Sequence, residues 1–224
     1  MIRRTANGLD LYIYQKLGMD AGYFVDVGAH DGKDGNNTYA LEKAGWSGIC
    51  IEPSPVHKAD LKKNRKCIVD DSLVYSERTT KKFFVHDYSE PHNQFAKFKQ
   101  ELEQKGSKLD IINTHSFLGG SGIVEHLTKD YEEKMVGKHI ELETVTLLDV
   151  LEAHKAPKII DFLDIDTEGS EYEVIKNFPF SEYEFKIISV EIWKNTKDIM
   201  QSLLNMNGYQ RVKILGDDYI FEKI

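Results

Sequence analysis

The sequence predicts a single α/β domain whose mainly parallel sheet is covered by helices on both faces. Two observations carry that prediction. Short apolar runs alternate with segments of helical spacing along most of the chain, the pattern of strands joined by crossover helices. The last two strand-like runs, about 209–215 and 218–223, are joined only by the turn signal Gly216-Asp217-Asp218, so they form an antiparallel hairpin. A length of 224 residues suits one sizeable domain and is short for two.

Each element has its own signal. Tyr23-Phe24-Val25-Asp26-Val27-Gly28 is an apolar run ending in glycine and reads as a buried strand. Helical spacing over 36–45 stops at Gly45, a suitable C-cap. Gly48-Ile49-Cys50-Ile51-Glu52 is the second strand, stopped by Pro53. A helix over 55–65 follows, then a short strand at Cys67-Ile68-Val69. Residues 82–86 and 139–146 read as further strands, the first suited to a sheet edge. Between them, residues 87–138 fit the alternation poorly. They are polar and contain Gly119-Gly120-Ser121-Gly122, so we read an insertion, or lid, lying over the site. Ile159-Ile160-Asp161-Phe162-Leu163-Asp164-Ile165 is again a buried strand, and Ser170 with Glu173 has capping-box spacing for the next helix. Phe185 to Ile192 is the next strand, and a helix over 196–206 ends near Gly208. Tyr12, Tyr14 and Leu17 mark an amphipathic helix that caps the sheet or the substrate side.

Composition narrows the partners. Hydrophobic residues make up 41% and charged residues 29%, the balance of a soluble globular protein. The net charge of −8 argues against a nucleic-acid backbone as the main partner. No stretch approaches the roughly 20 apolar residues of a membrane span. No apolar core follows the arginines of Met1-Ile2-Arg3-Arg4, so we expect a cytoplasmic protein without a membrane partner. Cys50 and Cys67 lie in apolar runs and read as buried thiols of a reducing compartment. The basic run Lys62-Lys63-Asn64-Arg65-Lys66 closes a helix and reads as cations complementing its dipole. His86, His92, His115, His126 and His139 are scattered without metal-ligand spacing, and Trp46 and Trp193 read as packing residues. Nothing in the sequence fixes the oligomeric state.

Open α/β sheets bind ligands at the carboxyl ends of their strands, where strand order reverses. The first strand ends in Asp26-Val27-Gly28-Ala29-His30-Asp31-Gly32, where Gly28 and Gly32 permit a tight turn and close approach of a ligand to the backbone. A Gly-x-Gly-x-x-Gly fingerprint is absent and no Walker-type lysine follows, which weighs against a dinucleotide and against a phosphate cradle. The second strand ends in Glu52, 24 residues after Gly28, where a carboxylate can accept both hydroxyls of a ribose. Asp161, Asp164, Asp166, Glu168 and Glu171 then place five carboxylates within 11 residues at the end of an apolar strand. Like charges so close raise one another's pKa unless a cation or donors neutralise them. Glu191 ends the following strand. Acids at neighbouring strand ends can bind a metal or a substrate hydroxyl, or serve as a general base.

Together these stretches resemble the FkbM-type methyltransferase family. The resemblance runs through Phe24 to Gly32, Asn36-Asn37-Thr38, Gly45 to Pro55, Asn64-Arg65-Lys66-Cys67, Gly120 to Ile123, Thr146 to Leu151 and Asp161 to Glu171. It covers roughly residues 22–222 in the family's order. It implies a Rossmann-like class I methyltransferase fold, with a mainly parallel seven-stranded sheet and a C-terminal hairpin. It implies S-adenosylmethionine as methyl donor and a small-molecule hydroxyl, commonly on a sugar or natural product, as acceptor. Asp26, Gly28, His30, Asp31 and Gly32 would then surround the methionine end of the donor. Asn37 and Thr38 would hold its carboxylate through free backbone N–H groups at a helix N-terminus. Glu52 would take the ribose hydroxyls, and Asp71 and Ser72 would lie near adenine. Asp166, Glu168 and Glu191 would face the acceptor as catalytic carboxylates, with Asp166 and Glu191 also candidate ligands for Mg²⁺. Two residues depart from the family pattern: His30 stands where asparagine is more usual, and Asp164 where a small residue, often serine, is expected. The competing readings are a nicotinamide-dependent oxidoreductase and a non-catalytic nucleotide-binding module. The missing glycine and the terminal hairpin count against the first, and the intact acid cluster against the second.

Overall fold

A computed structural model describes residues 8–18, 21–86, 120–127, 137–192 and 196–224. Helix α1 (Leu9–Leu17) leads into β1 (Tyr23–Val27), α2 (Tyr39–Lys43), β2 (Ser47–Ile51), α3 (Lys58–Asn64) and β3 (Ile68–Asp70). Four strands follow: β4 (Leu73–Val74), β5 (Thr80–His86), β6 (Gly122–Ile123) and β7 (Gly137–Val145). The chain then forms α4 (Leu147–Ala153), β8 (Ile159–Ile165), α5 (Glu171–Ile175), β9 (Glu184–Glu191), α6 (Lys197–Met206), β10 (Tyr209–Leu215) and β11 (Asp218–Lys223). No described helix is long and apolar enough to cross a membrane.

Seven strands form the main sheet, in the order β10-β11-β9-β8-β1-β2-β3. The five from β9 to β3 run parallel, and β11 and β10 close the sheet as the antiparallel hairpin. From β1 the chain moves outward through β2 and β3, then returns to place β8 on the other side of β1. The carboxyl ends of β1 and β8 therefore flank the point where strand order reverses, the expected ligand crevice of such a sheet.

Alternate residues of the central strands feed two cores. Val25, Val27, Leu163, Ile165, Ile188 and Val190 pack with Leu147 and Leu151 of α4, Val174 of α5 and Leu204 of α6. Phe24, Cys50, Phe162, Ile187 and Ile220 pack with Leu9 and Ile13 of α1, Leu41 of α2 and Leu61 of α3. Burial on both faces is why β8 reads as a nearly continuous apolar run. Helix α1 caps the sheet, and the Tyr12 hydroxyl donates to Glu222 of β11 at 2.6 Å.

Several local expectations change. Strands β5 and β7 do not join the main sheet. They pair antiparallel with each other, β6 adds to β5 and β4 to β7, giving a second sheet of order β4-β7-β5-β6. Its own small core holds Leu73, Tyr75, Phe83, Val85 and Ile123. Period-two alternation identifies a strand but not its partner, which is why the sequence did not separate the two sheets. Of the proposed insertion, residues 87–119 and 128–136 lie outside the described residues, while 120–127 carry β6. The capping box read at Ser170 and Glu173 is not formed: the Ser170 hydroxyl bonds Thr167, and Glu173 bonds Ser76 and Lys176. A reciprocal box opens α4 instead, between Thr146 and Asp149. The helix expected over 36–45 shortens to α2, because Asn36, Asn37 and Thr38 bend into a polar loop.

Backbone packs directly on backbone where β1 and β8 end. The Asp166 N–H donates to the Val27 carbonyl at 2.9 Å. Gly28 has φ 95°, and a Cβ there would lie 1.7 Å from the Asp166 carbonyl oxygen. Gly28→Ala should therefore destabilise the fold by about 2–4 kcal/mol, combining overpacking with left-handed backbone strain. An unchanged denaturation midpoint would mean that the turn moves off β8 without cost.

Candidate active site

The glycine turn is pinned between β2 and β8. The N–H groups of Gly28 and Ala29 donate to the Ile51 carbonyl at 2.9 and 3.0 Å. Gly28 and Gly32 both have positive φ, as a tight turn requires. Their close neighbours, however, are protein: the Asp166 carbonyl at Gly28, and the Leu61 and Arg65 side chains at Gly32. Packing against β8 and α3, rather than approach of a ligand, is what excludes a side chain at these two positions. His30 carries φ 52°, uncommon for a residue with a Cβ.

That geometry aims the His30 N–H at Glu52 Oε2, 2.9 Å away, while the Ser54 N–H donates to Glu52 Oε1 at 2.8 Å. Glu52 is 7% exposed, and burial raises its carboxyl above the usual range against the pull of the two N–H groups. Each carboxylate oxygen keeps a lone pair for a further donor. Asp31 shifts the other way, to about 2. Burial opposes this, but hydrogen bonds from His30 and from the N–H groups of Lys33 and Asp34 outweigh it.

Beneath the turn lies a buried polar network. Asp26 Oδ2 accepts from the Thr38 hydroxyl at 2.5 Å and from Asn36 Nδ2 at 2.8 Å. The Arg65 guanidinium donates to Asn36 Oδ1 at 2.9 Å, Thr38 Oγ1 at 3.0 Å, the Gly32 carbonyl at 3.2 Å and Glu42 Oε2 at 3.1 Å. It also stands 3.9 Å from Asp26. Arg65 is thus a buried tie, not the solvated helix-end cation that the basic run suggested. The available signal was residue type: guanidinium suits a buried site with several acceptors, where ammonium does not. Asn36 likewise escaped the sequence reading as a hub.

The network corrects one expected role. The Thr38 N–H is not free for a ligand carboxylate, because it donates to Asn36 Oδ1 at 3.0 Å and Thr38 is fully buried. Asn37 points elsewhere and donates to Asp164 Oδ2 at 2.9 Å. Asp164 faces Asp26 in the β1–β8 register. Burial first, then Asp26 and Asp218, push its carboxyl well above the ordinary range, favouring the neutral acid. At the far side of β2, Asp71 is exposed and its carboxylate is taken by Lys58 of α3. The Ser72 N–H bonds Asp70 Oδ1 at 2.8 Å.

The other carboxylates converge where β8 and β9 end. Asp166, Glu171 and Glu191 each offer one oxygen, and these atoms lie within 4.8 Å of one another. Glu171 is 1% exposed; its Oε1 accepts the N–H groups of Thr167 at 3.0 Å and Gly169 at 2.8 Å, while its Oε2 has no hydrogen-bond partner. Glu168, at φ 56°, accepts the N–H of Gly120, so the described end of the insertion touches this cluster. Burial, then the charge of Glu191, raise Asp166 well above the carboxylate range and Glu168 to about 7. Burial raises Glu171 to about 7 as well, against the N–H groups that bond it. The sequence reading paired Asp166 with Glu191 and left out Glu171, though the Asp-x-Glu-Gly-x-Glu spacing contained it. Asp161 stands apart, accepting the Tyr23 N–H at 2.8 Å and pairing with Lys186 at 2.7 Å. Trp193 lies outside the described residues. A groove of about 290 Å³, lined by Tyr75, Leu148, Phe178 and Glu182 among others, contains none of these carboxylates.

Comparison with known proteins gives similar solved structures and a family match. Among solved structures, a ribosomal protein L11 methylase from Lactobacillus delbrueckii subsp. bulgaricus is similar at 10% identity, covering 96% of this chain and 78% of that one with a TM-score of 0.44. A candidate RNA methyltransferase from Pyrococcus horikoshii is similar at 11% identity, covering 98% and 84% with a TM-score of 0.43. No match was found among curated proteins. The family described as the methyltransferase FkbM domain matches residues 26–211, a span that includes the glycine turn, Glu52 and the acid cluster, and the chain belongs to that family.

Proposed function

We propose that this protein is an S-adenosylmethionine-dependent O-methyltransferase acting on a hydroxyl of a small molecule, a sugar or natural product. The observation that carries this reading is the convergence of Asp166, Glu171 and Glu191, with the charge of Glu168 felt beside them, next to the glycine turn at the switch point. Family membership implies the donor and favours methyl transfer over hydride transfer to a nicotinamide. When bound, S-adenosylmethionine supplies a methyl group already activated on a sulfonium. The residues present fit it: Glu52 has lone pairs left for ribose hydroxyls, and carboxylates surround the place of a cationic ligand.

The chain's own groups hold, align and deprotonate. His30, Asp31 and the Gly28–Gly32 turn flank the methionine end, with Asp26 and Thr38 supporting the turn from below and Asn37 beside it. Asp71 and Ser72 border the adenine side. The acceptor oxygen must sit in line, about 3 Å from the methyl. Asp166 or Glu168 takes its proton; a carboxyl raised toward neutrality suits a general base at physiological pH. The acid-rich mouth and the net charge of −8 support a small uncharged acceptor over a nucleic acid. The chain works as one domain with residues about 87–138 as a lid, which the Gly120–Glu168 contact supports. Two free thiols fit a cytoplasmic setting.

A second reading adds Mg²⁺ at Asp166 and Glu191, with Glu171 as third ligand. It is favoured by the buried, unpartnered Glu171 Oε2 within the carboxylate cluster. There a cation would balance the like charges and acidify a coordinated hydroxyl.

Three outcomes test these readings. S-adenosylhomocysteine should raise the melting temperature and NAD should not. Labelled donor should pass its methyl to sugar or polyol hydroxyls, and Asp166→Asn or Glu168→Gln should cost about 10²–10⁴ in kcat with S-adenosylhomocysteine binding retained. A shift with NAD alone would reverse the assignment. By calorimetry, Glu52→Ala should weaken S-adenosylhomocysteine by about 1–3 kcal/mol; unchanged affinity would leave Glu52 only a strut for the turn. The third outcome is pH dependence. Glu168 and Glu171 titrate near 7 in the fold and lower when unfolded, so the folded state binds more protons in that window and stability falls as pH rises through it. The melting temperature should drop between about pH 5 and 8, and Mg²⁺ should restore it at the upper end. Glu171→Gln should reduce the pH response to the share of Glu168 and abolish the Mg²⁺ effect; a Mg²⁺ effect that survives it would remove Glu171 from the ligand set.

A further inference from the structure

We propose that Cys50 and Cys67 form a reversible disulfide that senses peroxide and loosens the donor side of the fold. The bond stands on its own geometry; its effect on the donor rests on the proposed function. Cys50 lies on β2, fully buried, and Cys67 immediately precedes the neighbouring strand β3 and is partly accessible. Their sulfurs are 3.5 Å apart, already in van der Waals contact. Cys50 Sγ also stands 3.8 Å from Asp26 Oδ2, the oxygen that holds Thr38 and Asn36. These two thiols therefore join an accessible edge of the sheet to the buried network beneath the glycine turn.

The chemistry assigns each thiol a role. Cys67 is the entry point because an oxidant can reach it. Its sulfur attacks hydrogen peroxide, an S–O bond forms, the O–O bond breaks, and one water leaves. The Cys50 sulfur then attacks the Cys67 sulfenic acid: the S–S bond forms, the S–O bond breaks, and the hydroxide leaves as water with the proton from Cys50. Asp26 is placed to relay that proton. In sum, two thiols lose two hydrogens and two electrons, and one peroxide becomes two waters. Burial pushes the Cys50 thiol well up, so it stays protonated and inert until its neighbour is oxidised. A dithiol reverses the reaction by exchange. Because β2 and β3 are already paired, with Cys50 opposite Val69, closing the sulfurs to the roughly 2.05 Å of a disulfide must shift the backbone at Cys67, just before β3, and turn the Cys50 sulfur from Asp26 toward it. Asp26 then loses the thiol beside its Oδ2, and because Arg65 ties Asn36 and Thr38 into the same network, the 36–38 loop shifts with it rather than alone.

The test uses the full chain. After peroxide and alkylation of remaining thiols, mass spectrometry should show one Cys50–Cys67 linkage, lighter by two hydrogens and fully undone by dithiothreitol. In Cys50→Ser, dimedone should trap the Cys67 sulfenic acid instead. Two alkylated thiols in the folded, peroxide-treated wild type would overturn the bond. Calorimetry should show S-adenosylhomocysteine binding several-fold more weakly to the oxidised protein and recovering on reduction, while peroxide leaves the affinity of Cys67→Ser unchanged. Equal affinity in both redox forms would overturn the coupling. Failure of the reduced protein to bind S-adenosylhomocysteine at all would strike the donor reading, with the mass result still deciding the bond.

Discussion

Among the described glycines, the one with least room is Gly28, whose backbone packs on the Asp166 carbonyl where the β1 exit meets the β8 exit. Strand order reverses there, so two loops that diverge from the sheet must first pass each other. One loop carries the glycine turn and the other carries the carboxylates. Their proximity comes from the absence of a single Cβ, and every later feature of the site depends on it. The Asp166 N–H bond to Val27 fixes the register of the passage, and the Ile51 carbonyl, accepting from Gly28 and Ala29, fixes it from the other side.

A second dependence is electrostatic. The Arg65 side chain is fully buried beside Asp26 and Glu42. Removing one partner from such a network leaves a charge without compensation in a low-dielectric interior, commonly a loss of about 3–5 kcal/mol. The arrangement is rigid in a specific way: each of Gly32, Asn36 and Thr38 gives Arg65 an acceptor, so the loop before α2 has no freedom to reorient alone. The acid cluster has the opposite character. Backbone N–H groups and, for Glu171, the Thr167 hydroxyl hold Glu168 and Glu171 without a cation, and their raised carboxyls record that shortage of compensation.

What was legible in the sequence follows the range of each signal. Apolar runs such as Phe24–Val27 and Ile159–Ile165 report burial on both faces, a local property, so the parallel core and the terminal hairpin could be read directly. The glycine turn, Glu52 and the Asp-x-Glu-Gly-x-Glu stretch were legible because strand ends are where such sheets place chemistry. Pairing between distant segments was not. Arg65 and Asn36 are 29 residues apart and nothing in their spacing predicts contact. The second sheet joins β4 to β7 across an interval with no periodic signal, so its strands were recognised without their partners. The capping box failed at Ser170 because other partners took its two side chains: Thr167 the Ser170 hydroxyl, and Ser76 with Lys176 the Glu173 carboxylate.

The second sheet has an architectural consequence. In the β5–β7 ladder, His86 lies opposite Gly137, and between them residues 120–127 return to the framework as β6 on the other edge of β5. A segment tethered at two adjacent points adds length at little entropic cost, because closure entropy grows only with the logarithm of loop size. The main sheet does not register what is inserted between those points. Chain length can therefore change on either side of residues 120–127 at little cost, but those residues are shared property: any graft there has to keep the β6 pairing and the Gly120 contact with Glu168.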